Sequence, residues 1–152
     1  MPTRPWESGL TDLYATERSR LVGLAFTICG SREVAEEVVQ DAFIEVDRRA
    51  SSIEQPLAYL KTVVVHGAIR AAKREARQYR HGTIDRLSVP SSIIEWYDLL
   101  MQLPERQRAA IVLRYLEDID DQRIADVLGC SRSTVRSLIR RALKTLKVRY
   151  ER

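Results

Sequence analysis

The chain has 152 residues, 45% of them apolar and 30% charged, which is enough to bury a core in one ordinary domain or two small helical ones and is unlike a disordered tail. No run approaches the ~18 apolar residues that span a bilayer, and Cys29 and Cys130 fit neither a metal spacing nor a disulfide framework. Residues 1–9 carry no apolar signal core, so membrane insertion and a disulfide scaffold are excluded and a reduced, soluble, cytoplasmic protein is expected.

The net charge of +4 is unevenly spread. Residues 31–47 carry six acids against one Arg, residues 61–80 six bases against Glu75, and residues 131–152 eight bases against Glu151. Two basic blocks and one acidic block suggest two contacts with a polyanion and one with something else, although solvated helix faces can carry the same bias.

In chain order, residues 10–28 show helical apolar spacing (Leu10, Leu13, Tyr14, Leu21, Leu24, Ile28) and stop at Cys29-Gly30, where glycine suits a C-cap. Ser31 caps a second predicted helix reaching about Arg49. A loop opens at Ser51-Ser52, and Pro56 stands where the first residue of a third helix is expected, with that helix continuing to about Tyr79. Residues 78–91, with His81-Gly82 and Val89-Pro90, form the one credible linker. Ser92 followed by Glu95 reads as a capping box ahead of Trp96-Tyr97 and Leu99-Leu100. Pro104 starts a helix through Tyr115, and two further segments, about 120–128 and 131–149, complete the chain. Neither an alternating strand pattern nor an internal repeat is present. The expected fold is all-α, with two small helical domains, 1–78 and 92–152, joined by a short linker at 79–91.

The strongest local pattern lies between Asp121 and Leu138. Ile124, Leu128, Cys130, Val135 and Leu138 are apolar, Ala125 is small, and Gly129 separates two short helices. This is a helix-turn-helix pattern: Ala125 permits close approach and Gly129 a positive φ, with Asp120 and Ser131 as N-caps. At about 100° per residue, Val135, Leu138, Ile139, Ala142 and Leu146 share the inner face of the second helix, and Ser133, Arg136, Ser137, Arg140 and Lys144 the outer one. Arg and Ser side chains can read major-groove edges and phosphates. A solvated helix in a bundle is the competing reading.

The third helix divides similarly. Leu57, Leu60, Val63, Val64, Gly67, Ala68 and Ala71 form an inner face, opposite Tyr59, Thr62, His66, Arg70, Lys73 and Arg77. One aromatic, small polar groups and a basic stripe suit a single strand, whose bases stack while cations follow its phosphates, but an ordinary wet basic face fits equally well. On the second helix Val34, Ala35, Val38, Val39, Ala42, Phe43 and Val46 point inward, and Glu33, Glu36, Glu37, Gln40, Asp41 and Asp47 outward around Ile44. An apolar centre with a charged rim is the anatomy of a protein-binding patch. Metal binding is disfavoured, because no His lies nearby and one helix face rarely supplies a Mg or Ca site.

The run Ala35-Glu36-Glu37-Val38-Val39-Gln40-Asp41-Ala42-Phe43 resembles the region 2 core of extracytoplasmic-function (ECF) sigma factors of the sigma-70 family. Leu103-Pro104-Glu105-Arg106-Gln107-Arg108, Leu113-Arg114-Tyr115, Ile124-Ala125 and Leu128-Gly129-Cys130-Ser131 resemble their region 4. The resemblance implies a bacterial transcription initiation factor that binds core RNA polymerase, with a region 2 helical bundle and a region 4 helix-turn-helix. Glu37, Gln40, Asp41 and Ile44 would then contact the clamp coiled coil of the largest subunit. The loop with Ser52 and Ile53, and the helix with Tyr59, Thr62, His66, Arg70, Lys73 and Arg77, would recognise and melt the −10 element. Arg132, Ser133, Arg136, Ser137 and Arg140 would read the −35 element as duplex. The resemblance further implies an anti-sigma factor as regulator and requires neither cofactor nor metal; a monomer when free is expected.

Three positions and one loop depart from the family pattern. His66 stands where asparagine is usual, Val46 where tryptophan is frequent, and Ser133 where glycine is usual; residues 51–55 lack the common aromatic-Arg-Gly run. These imply an altered promoter preference. The rival readings are a dimeric helix-turn-helix regulator, which has no need of the acidic helix and predicts a palindromic site, and an adaptor without promoter selectivity, against which the recognition helix argues. An enzyme is disfavoured because His66 and His81, the only histidines, sit in no nucleophile or metal constellation, and no glycine-rich phosphate loop is present.

Overall fold

The computed structural model describes residues 5–78 and 91–150, all of whose regular elements are helical. Helix α1 spans Pro5–Cys29, α2 Arg32–Arg48, α3 Pro56–Gln78, α4 Ser91–Leu100, α5 Glu105–Ile111, α6 Asp121–Leu128 and α7 Arg132–Tyr150, with a short 3-10 turn at Ala50–Ser52. The all-α expectation holds. The linker expected at 79–91 lies, Ser91 apart, outside the described residues.

Local signals account for most boundaries. Gly30 ends α1 at φ 81, with its N–H on Phe26 O at 2.8 Å. Ser31 caps α2 by accepting from Val34 N at 3.3 Å, and Asp120 caps α6 by accepting from Arg123 N at 2.9 Å, each satisfying an orphan donor. Three boundaries differ from expectation. Helix α1 begins at Pro5, where proline is tolerated in a first turn, and not near Leu10. Helix α4 begins at Ser91, which places Ser92 inside its first turn and not at the cap. The helix expected from Pro104 to Tyr115 changes hand-over at Val112 into a π-helical turn, Val112–Leu116, which rotates the residues that follow.

Helices α1, α2 and α3 pack on one another in all three pairings, and α4, α5 and α6 pack on α7 or its neighbours to form a second lobe. In the first lobe Leu21, Ile28, Val39, Val46, Leu60 and Val64 are fully buried. Gly67 allows α3 to close on α2: a Cβ there would lie 2.9 Å from Val38 Cγ1. The two lobes share one continuous apolar cluster. Helix α3 explains why, since Val65, expected on neither face, is also fully buried and faces Leu113, Ile119 and Val127 of the second lobe. Its apolar arc is therefore wide enough to cover two neighbours.

A second junction lies at the end of α1. Phe26 stacks on Tyr97 with centroids 5.3 Å apart, and Tyr97 Oη donates to Gly30 O at 2.6 Å. Burial pushes the Tyr97 hydroxyl above its ordinary pKa, with the Cys29 thiol adding to the rise. Arg108, 8% exposed, is the buried charge of the molecule among the described residues. Its guanidinium donates to Leu100 O and Leu103 O at 2.8 Å each, to Met101 O at 3.4 Å, and to Ile28 O across the junction. Burial pulls this guanidinium below its ordinary pKa, and Glu105 opposes the shift. The residue that the sequence presents only as part of a motif thus ties carbonyls of both lobes together.

Candidate nucleic-acid and protein interfaces

The outer face of α7 is set by its cap and its inner packing. Ser131 Oγ accepts from Thr134 N at 3.1 Å, Gly129 takes the left-handed conformation at φ 67 and ψ 41, and Cys130 N donates to Ala125 O at 3.0 Å. Ala125 and Val135 are buried between α6 and α7. This fixes Arg132, Ser133, Arg136, Arg140 and Lys144 in solvent, whereas Ser137 is half-buried. Thr134, absent from the expected set, is exposed on the same first turn. The α7 N-terminus therefore presents cations and hydroxyls together, as a groove-reading helix requires.

The acidic helix α2 buries Val39, Ala42, Phe43 and Val46. Phe43 meets the Tyr14 ring edge-on at 4.9 Å between centroids. With that face anchored, Glu37, Gln40 and Asp41 are exposed and Ile44 is 47% exposed among them. Glu36 is partly drawn away by an ion pair to Arg32 at 3.5 Å. A hydrophobic side chain held out in a ring of carboxylates and an amide is available to a partner with a basic, partly apolar surface.

The residues expected to hold a melted strand are only partly free. A cleft of about 560 Å³ brings Ser52, Ile53, Tyr59 and Thr62 together, but its far wall is Leu113, Arg123 and Val127 of the second lobe. Ser52 is exposed and its hydroxyl donates to Arg49 O at 2.9 Å; Ile53 is half-buried against the apolar cluster. Arg49 Nη1 donates to Tyr59 Oη at 3.5 Å, and Thr62 Oγ1 folds back onto Ala58 O at 3.1 Å. His66 Nε2 lies 2.5 Å from Val127 O; a carbonyl can only accept, so the proton sits on Nε2. Arg70 and Lys73 are exposed, and the side chain of Arg77 lies outside the described residues.

One surface had no counterpart in the sequence reading. An apolar groove of about 650 Å³ runs between Trp96, Tyr97, Tyr115, Leu116, Leu143 and Leu146. Trp96 and Tyr115 are each 58% exposed and Leu116 62%. The π-helical turn turns Tyr115 and Leu116 outward, and no residue type announces such a turn. Among the described residues, no three His, Cys, Asp or Glu side chains converge to hold a metal ion.

Comparison with known proteins decides the family. The family model of sigma-70 region 2 matches residues 13–78, and that of sigma-70 region 4 matches residues 93–146. The chain belongs to the sigma-70 family of sigma factors. The ECF RNA polymerase sigma factor SigK of Mycobacterium sp. (strain KMS) is 28% identical to it over 153 residues, covering 89% of this chain and 79% of its own. Two solved structures are similar in fold. Sigma factor RpoE from Bartonella quintana, in complex with the anti-sigma factor NepR, superposes with a TM-score of 0.74 at 18% identity, covering 91% of this chain and 94% of its own. CnrH, in complex with the cytosolic domain of CnrY, gives 0.73 at 21% identity, covering 95% and 89%. As an alternative sigma factor, the protein directs RNA polymerase to promoters.

Proposed function

We infer that the sigma factor divides its work among three faces, in a region 2 domain at 1–78, a linker at 79–91 and a region 4 domain at 92–152. The observation that carries this reading is the sorting of exposed charge: carboxylates around Ile44 on α2, cations and hydroxyls on α7. Glu37, Gln40, Asp41 and Ile44 dock on the clamp coiled coil of the largest polymerase subunit. Arg132, Ser133, Arg136, Ser137 and Arg140 read the −35 element as duplex. Ser52, Ile53, Tyr59, Thr62, His66, Arg70, Lys73 and Arg77 hold the melted −10 strand.

The energetics favour work on polymerase over work alone. A single DNA-binding module buries only ~600–1,000 Å² of protein surface, too little for tight, selective binding. Docking on polymerase makes the second DNA contact intramolecular and raises its effective concentration. Opening the duplex costs a few kcal/mol per flipped base, which captured bases offset by ~1–3 kcal/mol each through stacking. The chain itself performs no covalent chemistry and acts in the cytoplasm as a monomer. An anti-sigma protein is its regulator, a proposal supported by its likeness in fold to RpoE, which was solved with one.

The test is promoter binding by polymerase loaded with Arg136→Ala or Arg140→Ala protein. Each loss of a bidentate base contact should weaken −35 recognition by ~1–3 kcal/mol and relax specificity at one base pair. Unchanged specificity in both variants would move the duplex reader off α7.

A further inference from the structure

Among its described residues, the first lobe leaves two large apolar side chains in solvent, Tyr14 at 42% and Ile44 at 47% exposure. They are neighbours across two helices. The Tyr14 ring on α1 rests edge-on against Phe43, the residue before Ile44, with centroids 4.9 Å apart. At about 100° per residue, Gln40 and Asp47 fall between Phe43 and Ile44 around α2, and both are exposed. One surface therefore continues from Ile44 across Gln40 and Asp47 to Tyr14. The opposite flank of α2 is closed, because Val38 packs on Gly67 of α3.

Tyr14 is also held in place. Phe43 fixes one edge of its ring, and the Arg18 guanidinium, one turn further along α1, lies over the ring at 5.9 Å from its centroid. A ring locked before it meets a partner loses little conformational entropy on binding, and tyrosine and arginine are among the residue types that most often anchor protein interfaces. The charge of Arg18 is a second observation. Arg20 pairs with Glu117 and Arg32 with Glu36, but among the described residues no carboxylate stands within ion-pair distance of Arg18. A cation beside a ring of acids, with no acid holding it, is complementary to a carboxylate on the partner that covers the surface.

We propose that the polymerase-docking surface extends from α2 onto α1, with Tyr14 as a second apolar anchor beside Ile44 and Arg18 as a cation that pairs with a carboxylate of polymerase. The inference rests on the assignment of Glu37, Gln40, Asp41 and Ile44 to polymerase. The surface is then two-signed: the acids around Ile44 meet basic groups, and Arg18 meets an acidic one on the α1 side. Such a pattern sets the direction in which the partner lies across α2, because reversing it would place acid on acid and base on base. A one-signed surface would attract a basic partner without fixing its direction.

The experiment displaces labelled wild-type chain from sigma-free bacterial core polymerase with unlabelled 152-residue variants, read by fluorescence anisotropy. The sign of one effect separates the two cases. Arg18→Glu adds negative charge, so a partner that is basic throughout would bind it as well as wild type or better, whereas the two-signed surface predicts about tenfold weaker binding. Arg74→Glu, an equal charge change on exposed α3 surface, should leave binding unchanged. Tyr14→Ala should weaken binding by about tenfold, and Tyr14→Phe, which keeps the ring, should bind close to wild type. Circular dichroism confirms folding; should Tyr14→Ala not fold, Tyr14→Leu, which still covers Phe43, carries the test. A folded Arg18→Glu chain that binds as well as wild type, or a folded Tyr14→Ala or Tyr14→Leu chain that does so, would overturn the extension onto α1. Asp41→Lys in the same titration tells that failure from failure of the α2 reading. If Asp41→Lys does not bind, only the extension is lost; if it binds undiminished, the assignment of α2 falls and the extension with it.

Discussion

Replacing Arg108 with Met keeps an unbranched stem of similar reach and removes every donor. Four carbonyls lose a bond, but not equally. Leu100 O still accepts from Leu103 N at 3.0 Å, and the Met101 bond is long at 3.4 Å. Ile28 O and Leu103 O lose their donor with no replacement among the described backbone groups. Each buried acceptor left unsatisfied costs ~1–3 kcal/mol, so the two together cost roughly 2–6 kcal/mol. Relief from burying a charge offsets part of this, and the net expectation is a loss of about 3 kcal/mol. At ~2–4 °C per kcal/mol for a chain of this size, Tm falls by roughly 6–12 °C. Urea unfolding followed by circular dichroism measures it, with half-buried Arg106→Met as the control, expected near neutrality. A loss below about 1 kcal/mol for Arg108→Met would refute the role of Arg108 as the satisfier of those carbonyls.

Two further perturbations test the helix-turn-helix geometry. Gly129→Ala forces a Cβ into φ 67, with open space around it, so only backbone strain acts; denaturant unfolding should show a loss of ~1–2 kcal/mol. Ser131→Ala removes the cap of α7 and should cost ~1 kcal/mol in the same assay, with a matching loss of −35 affinity if the first turn frays.

The parts of this fold legible in the sequence are those decided within a few residues. Ser31, Asp120, Gly30 and Gly129 act where they stand because a cap or a left-handed turn is a local event. The exposed ring around Ile44 followed from helical periodicity alone, once Val39, Phe43 and Val46 were taken as the inner face. What the sequence left open was decided at long range. His66 and Val127 are 61 positions apart, and nothing in the neighbourhood of either indicates the other. Val65 lies between the two faces of α3 and is buried only because a second lobe comes to it. The π-helical turn at Val112–Leu116 likewise has no signature in residue type, and with it went the outward Tyr115 and Leu116. The candidate DNA and polymerase residues were thus read as faces of single helices, and the closure of one face by another lobe was not.

The central claim is that the acidic face of α2 binds polymerase. The most direct measurement is gel filtration of the purified chain with sigma-free bacterial core polymerase, alongside Asp41→Lys. Asp41 is exposed, so the substitution leaves the fold intact while reversing charge on the rim that surrounds Ile44. Co-elution of the wild-type chain, lost in Asp41→Lys, is the predicted result. A wild-type chain that elutes apart from polymerase, or an Asp41→Lys chain that co-elutes undiminished, would contradict it.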